Sequence, residues 1–324
     1  MDHQAKALRV VTAAEVHEFC AWEGLIEALA RSHRGPKPLV GRVCLDGAEG
    51  PNCQRYIDIP AWQPGVAMGS KLITLMPGNP DRTGLPAIQA LYALFDGRDG
   101  SPLAAIDGTA LTYRKTAADS GLGSRLLSRP EADVLLMVGA GGLAPYLVAA
   151  HLAARPSLKT VLVWNRRMDK AEALARGLAA AGVAASASEL EPAARQADVI
   201  SCATASTEPL IDGRWLKPGA HLDLVGGFAP EMRECDDACV ERARLFVDSR
   251  MFAIEQTGDL GNPLRRGVIA PDRIEADLFE LCTGSRSVQR RPDEITLFKN
   301  AGGPHLDLFT ALHIWSGLTG RALG

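Results

Sequence analysis

Apolar and polar positions follow two different rhythms along this chain. In its middle, Val134-Leu-Leu-Met-Val138 is an apolar run without charge that turns abruptly into glycines and then into a helical pattern. The run predicts a buried strand, and its sequel a strand–turn–helix unit. Thr160–Trp164 predicts a second strand, 170–181 an Ala-rich helix, 182–187 a third strand and 190–195 a short helix. Further strands are predicted over 197–203, 219–228 and 243–248. Six strands with helical or loop crossovers predict a doubly wound sheet.

Ahead of this region the pattern is shorter in range. Thr12-Ala-Ala-Glu15 is a capping box and predicts a helix running towards Arg31, with Val16, Cys20, Leu25 and Leu29 near one face. Extended pieces are predicted over 39–45, 56–59 and 65–68, with a turn at 47–52. Lys71 heads an apolar strand that ends in Pro77-Gly-Asn-Pro80. A strand over 102–106, with Asp-Gly turns at 96–97, 99–100 and 107–108, completes an antiparallel sheet. Leu111–Leu127 reads as a helix dense in small residues, and the tail leads through Gly302-Gly303 into a final helix through Trp315. The fold class is therefore α/β: a Rossmann-type doubly wound dinucleotide-binding domain together with an N-terminal α+β domain.

Composition narrows the function classes. With 324 residues the chain can bury two cores, and 47% hydrophobic with 23% charged residues is ordinary for a globular protein. A net charge of −3 implies no broad basic surface, so nucleic acid is not an expected partner. The N-terminus lacks the apolar run of a signal peptide, and no stretch approaches a membrane span. The seven cysteines are scattered and odd in number. Cys235 and Cys239 have helical spacing, but no His or second Cys pair completes a metal site. Free thiols in a cytoplasmic protein are the expectation.

The candidate chemistry begins at Gly139-Ala-Gly141-Gly142-Leu143-Ala144, a GxGxxA turn. Gly139 permits the tight turn, Gly141 lets backbone approach a pyrophosphate, and Ala144 packs helix against strand. The second strand ends in Asn165-Arg166-Arg167, where NAD-binding folds carry an acidic residue for the ribose 2′-hydroxyl. With no carboxylate there, Arg166 or Arg167 suits a 2′-phosphate, which favours NADPH while leaving NADH open. Thr204 and Ser206, at the end of the fourth predicted strand, lie where ligands bind in open parallel sheets. Lys71 is either a surface strand terminus or an anion-binding group. Arg114 and Lys115 stand in the expected first turn of their helix, where cations gain nothing from the dipole; they are a surface pair or hold an anion. Just beyond Gly302-Gly303, His305 and Asp307 are the only titratable side chains. Asp307 reads as a cap, and His305 as a hydrogen-bonded structural histidine or a catalyst.

These motifs together resemble the ornithine cyclodeaminase/μ-crystallin family. The resemblance runs from about residue 12 to 318 and rests on GSKLITLMPGNP with Lys71, GLPAIQALYALFD at 84–96, PLAAIDGTALT at 102–112 and KTAADS at 115–120. It continues in VGAGGLAP at 138–145, SCATASTEPLI at 201–211 and DEITLFKNAGG at 293–303. It implies a homodimer whose N-terminal domain makes the subunit contact and the substrate-carboxylate site, with the last helix returning to it. The implied domains are 1–125 with 301–324, for substrate and dimerisation, and 126–300, the NADP-binding Rossmann domain. The implied cofactor surface is Gly139, Ala140, Gly141, Gly142, Leu143, Asn165, Arg166, Arg167, Thr204, Ser206, Val225 and Gly226. The implied substrate contacts are Lys71, Arg114, Lys115, Phe228, Gly302 and Gly303. Lys71 or a bound water is the candidate proton donor, with Asp307 as its support. For the family's early arginine, Arg42 and Arg55 are both candidates.

Two departures from the family pattern bear on the reaction. Lys115 stands where the family has a carboxylate-binding arginine, a point charge in place of a bidentate fork. Phe228 stands where cyclodeaminases carry an aspartate for the substrate's distal amine. The resemblance therefore implies NAD(P)H-dependent reduction of a cyclic α-imino acid, Δ1-pyrroline-2-carboxylate to proline, with the six-membered homologue as a second substrate. An ornithine cyclodeaminase, an alanine-type dehydrogenase and a non-enzymatic NADPH-binding crystallin are the alternatives.

Overall fold

The structure is a computed structural model that describes residues 8–47 and 53–323. All but the first residue of the turn expected at 47–52 lies outside the described residues. The chain forms two compact units, Met1–Lys115 with Pro304–Gly324, and Thr116–Gly303. The division falls ten residues ahead of the expected boundary at 125/126 because one helix, Gly108–Leu127, passes through it without a break. A boundary inside a helix leaves no linker-like composition to read.

The first unit contains β1 (Arg9–Val11), α1 (Ala13–Phe19), α2 (Trp22–Ser32), β2 (Leu39–Val40), β3 (Val43–Asp46), β4 (Arg55–Gln63) and β5 (Ala67–Leu75). After these come α3 (Asn79–Thr83), β6 (Ile88–Asp96), β7 (Pro102–Asp107) and the start of α4 (Gly108–Leu127). The C-terminal helix, Pro304–Thr319, completes it. Thr12 and Glu15 form the expected capping box, but the helix stops at Phe19 and restarts at Trp22. The Cys20 carbonyl exposed by this break accepts a hydrogen bond from Arg114 Nη1 at 3.1 Å. Val16, Cys20, Leu25 and Leu29 are nonetheless all fully buried, so the apolar face survives the interruption.

The sheet runs β1-β7-β6-β5-β4-β2, with β3 also on β4. It is antiparallel as expected except at one edge, where β1 pairs β7 in parallel. Directly opposed residues share a face. One face carries the rows Ile59–Lys71–Tyr92 and Ala61–Gly69–Leu94, buried at Lys71, Tyr92, Ala61 and Leu94, and the C-terminal helix packs on β4, β5 and β6. The other face carries Val43, Leu45, Tyr56, Trp62 and Leu91, each 40 to 59% exposed in the single chain.

The second unit continues α4 and adds β8 (Val134–Val138), α5 (Ala144–Ala154), β9 (Thr160–Trp164), α6 (Met168–Ala180), β10 (Ala184–Ala187) and α7 (Leu190–Gln196). Then follow β11 (Val199–Cys202), β12 (His221–Leu224), α8 (Asp237–Arg242), β13 (Arg244–Val247), α9 (Arg250–Glu255) and α10 (Gly258–Arg265). The last are β14 (Ile274–Asp277), α11 (Leu278–Thr283) and β15 (Thr296–Lys299). Its eight strands are all parallel, in the order β10-β9-β8-β11-β12-β15-β13-β14. The chain winds outward from β8 to β10, then resumes at β11 on the other side of β8. That places the topological switch point between β8 and β11. Two strands exceed the expected six. Of these, β15 is central, inserted between β12 and β13. Among the described residues no helix is long and apolar enough to cross a membrane.

Candidate active site

The glycine turn lies at the carboxyl end of β8, beside the switch point. Gly139 has φ +109°, and a Cβ there would stand 2.6 Å from the Ala203 carbonyl oxygen. Both facts demand glycine. Its N–H donates to the Trp164 carbonyl at 2.8 Å, which fastens the turn to β9. No side chain caps α5, so its first turn is open to an anion.

A cavity of about 300 Å³ lies over these strand ends, lined by Gly139, Ala140, Gly141, Asn165, Arg166, Arg167, Thr204 and Ser206 among others. Eight of the twelve expected cofactor residues thus converge. The side chain of Asn165 is spent on the backbone: Oδ1 accepts from Ala140 N–H at 3.3 Å and Nδ2 donates to the Arg167 carbonyl at 2.9 Å. It shapes the turn while leaving the three cations Arg166, Arg167 and Lys170 along one wall. Lys170 was legible only as a helix residue. Gly142 and Leu143 sit at the start of α5, outside the lining. Val225 and Gly226 are likewise outside the lining, and the Gly226 N–H donates to Glu234 Oε2 at 2.7 Å. The glycine cradle, the open helix end and the basic wall fit a dinucleotide with an added phosphate.

In the first unit, Asp307 in the first turn of the C-terminal helix is fully buried. Its Oδ1 accepts from Lys71 Nζ at 2.9 Å, and its Oδ2 lies 3.7 Å from Lys115 Nζ. Lys71 Nζ also donates to Thr112 Oγ1 at 3.3 Å. Thr112 and Lys115 stand three residues apart and so share one face of α4. Two buried lysines thus face one carboxylate, an arrangement whose surplus positive charge suits a bound anion. Burial pushes the Lys71 ammonium down to about 8, Asp307 opposes the fall and Lys115 adds to it. Tyr92, directly opposite Lys71 on β6, is also buried, and burial with the Asp307 charge drives its phenol well above the usual range. Lys71 occupies the fifth position of β5, not its head, so it is an interior residue.

Several expected residues are placed elsewhere. Because α4 begins at Gly108, Arg114 and Lys115 lie in its second turn, and the dipole argument lapses. Arg114 is drawn to α1 and α2: Nε donates to His17 Nδ1 at 3.0 Å, and the guanidinium stacks 4.4 Å from the Trp22 ring centre. It braces the helix break. Arg55 pairs with Asp46 at 2.9 Å, four residues along β4 from the partner of Lys71, roughly 13 Å away. Arg42 lies exposed between β2 and β3. His305 packs edge-on against His33 and Phe309, at 5.4 and 5.9 Å between ring centres, and burial drives its pKa well below the usual value. That is the structural reading of this histidine.

Phe228, Gly302 and Gly303 belong to the second unit. Phe228 is 58% exposed in the loop after β12. The N–H groups of Ala301, Gly302 and Gly303 all point at Asp248 Oδ2, at 3.1, 2.9 and 3.4 Å. The glycine loop is thus pinned by Asp248 through its donors, a partner that sequence spacing did not reveal. Among the described residues no group of three His, Cys, Asp or Glu side chains is disposed to hold a metal ion.

A parallel sheet with a glycine turn at its switch point and a basic wall beside it defines a dinucleotide-binding protein. The chain belongs to the ornithine cyclodeaminase/mu-crystallin family, whose sequence profile matches residues 12–320. It is 40% identical over 315 residues to a Δ1-pyrroline-2-carboxylate reductase of Paracoccus denitrificans, covering 97% of this chain and 98% of the relative. Its fold is similar to that of Thermococcus litoralis Δ1-pyrroline-2-carboxylate reductase in complex with NADH and L-proline, with a TM-score of 0.88, 27% identity and coverage of 98% and 100%. An archaeal alanine dehydrogenase dimer with bound NAD is also similar, with a TM-score of 0.87, 26% identity and coverage of 97% and 98%.

Proposed function

We propose that this protein reduces Δ1-pyrroline-2-carboxylate to L-proline with NAD(P)H, and accepts the six-membered homologue, since one methylene is worth only ~1–3 kcal/mol in a pocket. The observation that carries the reading is the pair of buried ammonium groups, Lys71 and Lys115, on the single carboxylate of Asp307. The 40% identical reductase supports the choice of imine. Lys115 and Lys71 bind the substrate carboxylate. NAD(P)H, when bound, supplies the hydride that C2 of the imine receives. Lys71, acidified by burial, gives its proton to the ring nitrogen, so that C=N becomes CH–NH, and solvent returns the proton. Asp307 keeps Lys71 charged and in place.

Arg166, Arg167 and Lys170 favour NADPH, with NADH as the weaker cofactor. A second copy of the chain covers the outer face of the first unit's sheet, where Val43, Leu45, Tyr56, Trp62 and Leu91 are exposed. The dimeric archaeal relative supports this assembly.

The deciding experiment follows NADPH oxidation with Δ1-pyrroline-2-carboxylate beside ammonia release from ornithine. Rapid oxidation with silent ornithine is expected, because Phe228 cannot hold a distal ammonium as a carboxylate does. Ammonia from ornithine without imine reduction would overturn the reading. The alanine dehydrogenase likeness gives the runner-up: oxidation only with an open-chain 2-oxo acid and ammonia. NADPH binding without turnover would leave the crystallin-like role.

A further inference from the structure

Glu234 is fully buried between the ends of two neighbouring strands, and the proposed chemistry makes no use of it. Its Oε1 accepts from Thr204 N–H at 2.6 Å and from Thr204 Oγ1 at 2.8 Å. Its Oε2 accepts from Gly226 N–H at 2.7 Å. Thr204 follows β11 and lines the dinucleotide cavity; Gly226 follows β12. The two loops touch, for a Cβ on Gly226 would stand 2.0 Å from the Thr204 carbonyl oxygen and 2.5 Å from Glu234 Oε1. A second tier holds the glutamate: its own N–H donates to Asp259 Oδ1 at 2.7 Å, and Lys299 Nζ donates to Asp259 Oδ2 at 3.0 Å. Asp259 and Lys299 are themselves fully buried.

We propose that Glu234 is a positioning residue for the dinucleotide: its ionised carboxylate ties the loops after β11 and β12 into the form that accepts the cofactor. Three donors face two oxygens, and the ionised carboxylate accepts from all three with its full charge. A neutral carboxyl accepts more weakly, and a proton on Oε1 would turn the Thr204 hydroxyl from donor to acceptor, so protonation weakens the tie. The titratable groups facing Glu234 are Asp259 of α10, Lys299 of β15 and the Cys202 thiol of β11. Burial, reinforced by the Asp259 charge, pushes the Glu234 carboxyl up to about 7, against the pull of Lys299 and the Thr204 bonds. The clamp therefore loosens as pH falls through neutrality.

The inference rests on the cofactor reading of the cavity and not on the identity of the imine. The test is the NADPH dissociation constant of the full chain, by fluorescence titration without imine, from about pH 6 to about pH 8.5. Glu234→Gln keeps an acceptor for Thr204 but turns an NH2 towards the Gly226 N–H. It is expected to bind NADPH about tenfold more weakly than wild type at about pH 8. It is also expected to lose the wild-type fall in affinity towards pH 6, keeping only the titration of NADPH itself. Affinity within about twofold of wild type, or an unchanged pH profile, would overturn the proposal. If Glu234→Gln does not fold, Thr204→Val removes one donor and is expected to weaken NADPH several-fold; wild-type affinity there overturns it equally. Intact NADPH binding without imine reduction would count against the proposed reaction and leave this inference standing.

Discussion

A lysine inside a buried strand is tolerated only beside a counter-charge, and Lys71 has Asp307 at 2.9 Å. Because burial lowers its pKa to about 8, Lys71 is an ammonium below that pH and loses its proton as pH rises through it. Both proposed tasks, binding a carboxylate and giving a proton, need the charged form. The kcat/KM for the imine is therefore expected to fall as pH rises through about 8. Asp307→Asn removes the charge that opposes the effect of burial. The falling limb should then move to lower pH, and kcat/KM at neutrality should drop by on the order of ten- to a hundredfold, the worth of a charged hydrogen bond. A pH–rate profile of both proteins checks this; an unmoved limb in Asp307→Asn would refute the pairing. At this scale the sequence showed a lysine in an apolar run and an aspartate opening a helix. Their contact spans 236 residues, so no spacing rule reaches it.

At the scale of elements, β8, its glycine turn and α5 form one local device, and that device was legible. Strand, turn and helix follow one another within 21 residues, 134–154, and the turn's demand for glycine is met in place. The end of β9 was legible too, in Asn165-Arg166-Arg167. Arg167→Ala is expected to lower kcat/KM with NADPH roughly tenfold and to leave NADH nearly unchanged. Steady-state rates with the two cofactors measure it, and equal losses with both would remove the 2′-phosphate role. By contrast β15 was not legible as a strand. It is four residues long and ends in Lys299, which reads as a surface residue until Asp259 is found 3.0 Å away. The helix from Thr12 was read too long for the opposite reason. Its apolar spacing continues through Cys20, but the chain breaks there and Arg114 takes the freed carbonyl.

At the scale of the molecule, the sheet of the first unit leaves a face of Val43, Leu45, Tyr56, Trp62 and Leu91 open in the single chain. Apolar faces of this kind are usually covered by a partner. The wild-type chain is expected to sediment as a dimer, and the double variant Leu45→Asp, Trp62→Asp as a monomer, because unpaired carboxylates cannot be buried in such a face. Analytical ultracentrifugation decides it; a monomeric wild type would sink the assembly proposed above.

What the sequence by itself determined is whatever local rules govern. These are the parallel-sheet rhythm after Glu131, the capping box at Thr12, the glycine turn and the basic end of β9, together with the motifs that carry the family. Each is set by periodicity or backbone geometry over a few residues. Only the tertiary structure decided which charges meet. It paired Lys71 and Lys115 with Asp307, gave Arg114 to the helix break and Asp248 to the glycine loop, and buried Glu234, Asp259 and Lys299 together. The physical reason is that a buried charge is stable only when its partner is brought to it. In this fold those partners come from distant elements that meet only when the sheets are assembled.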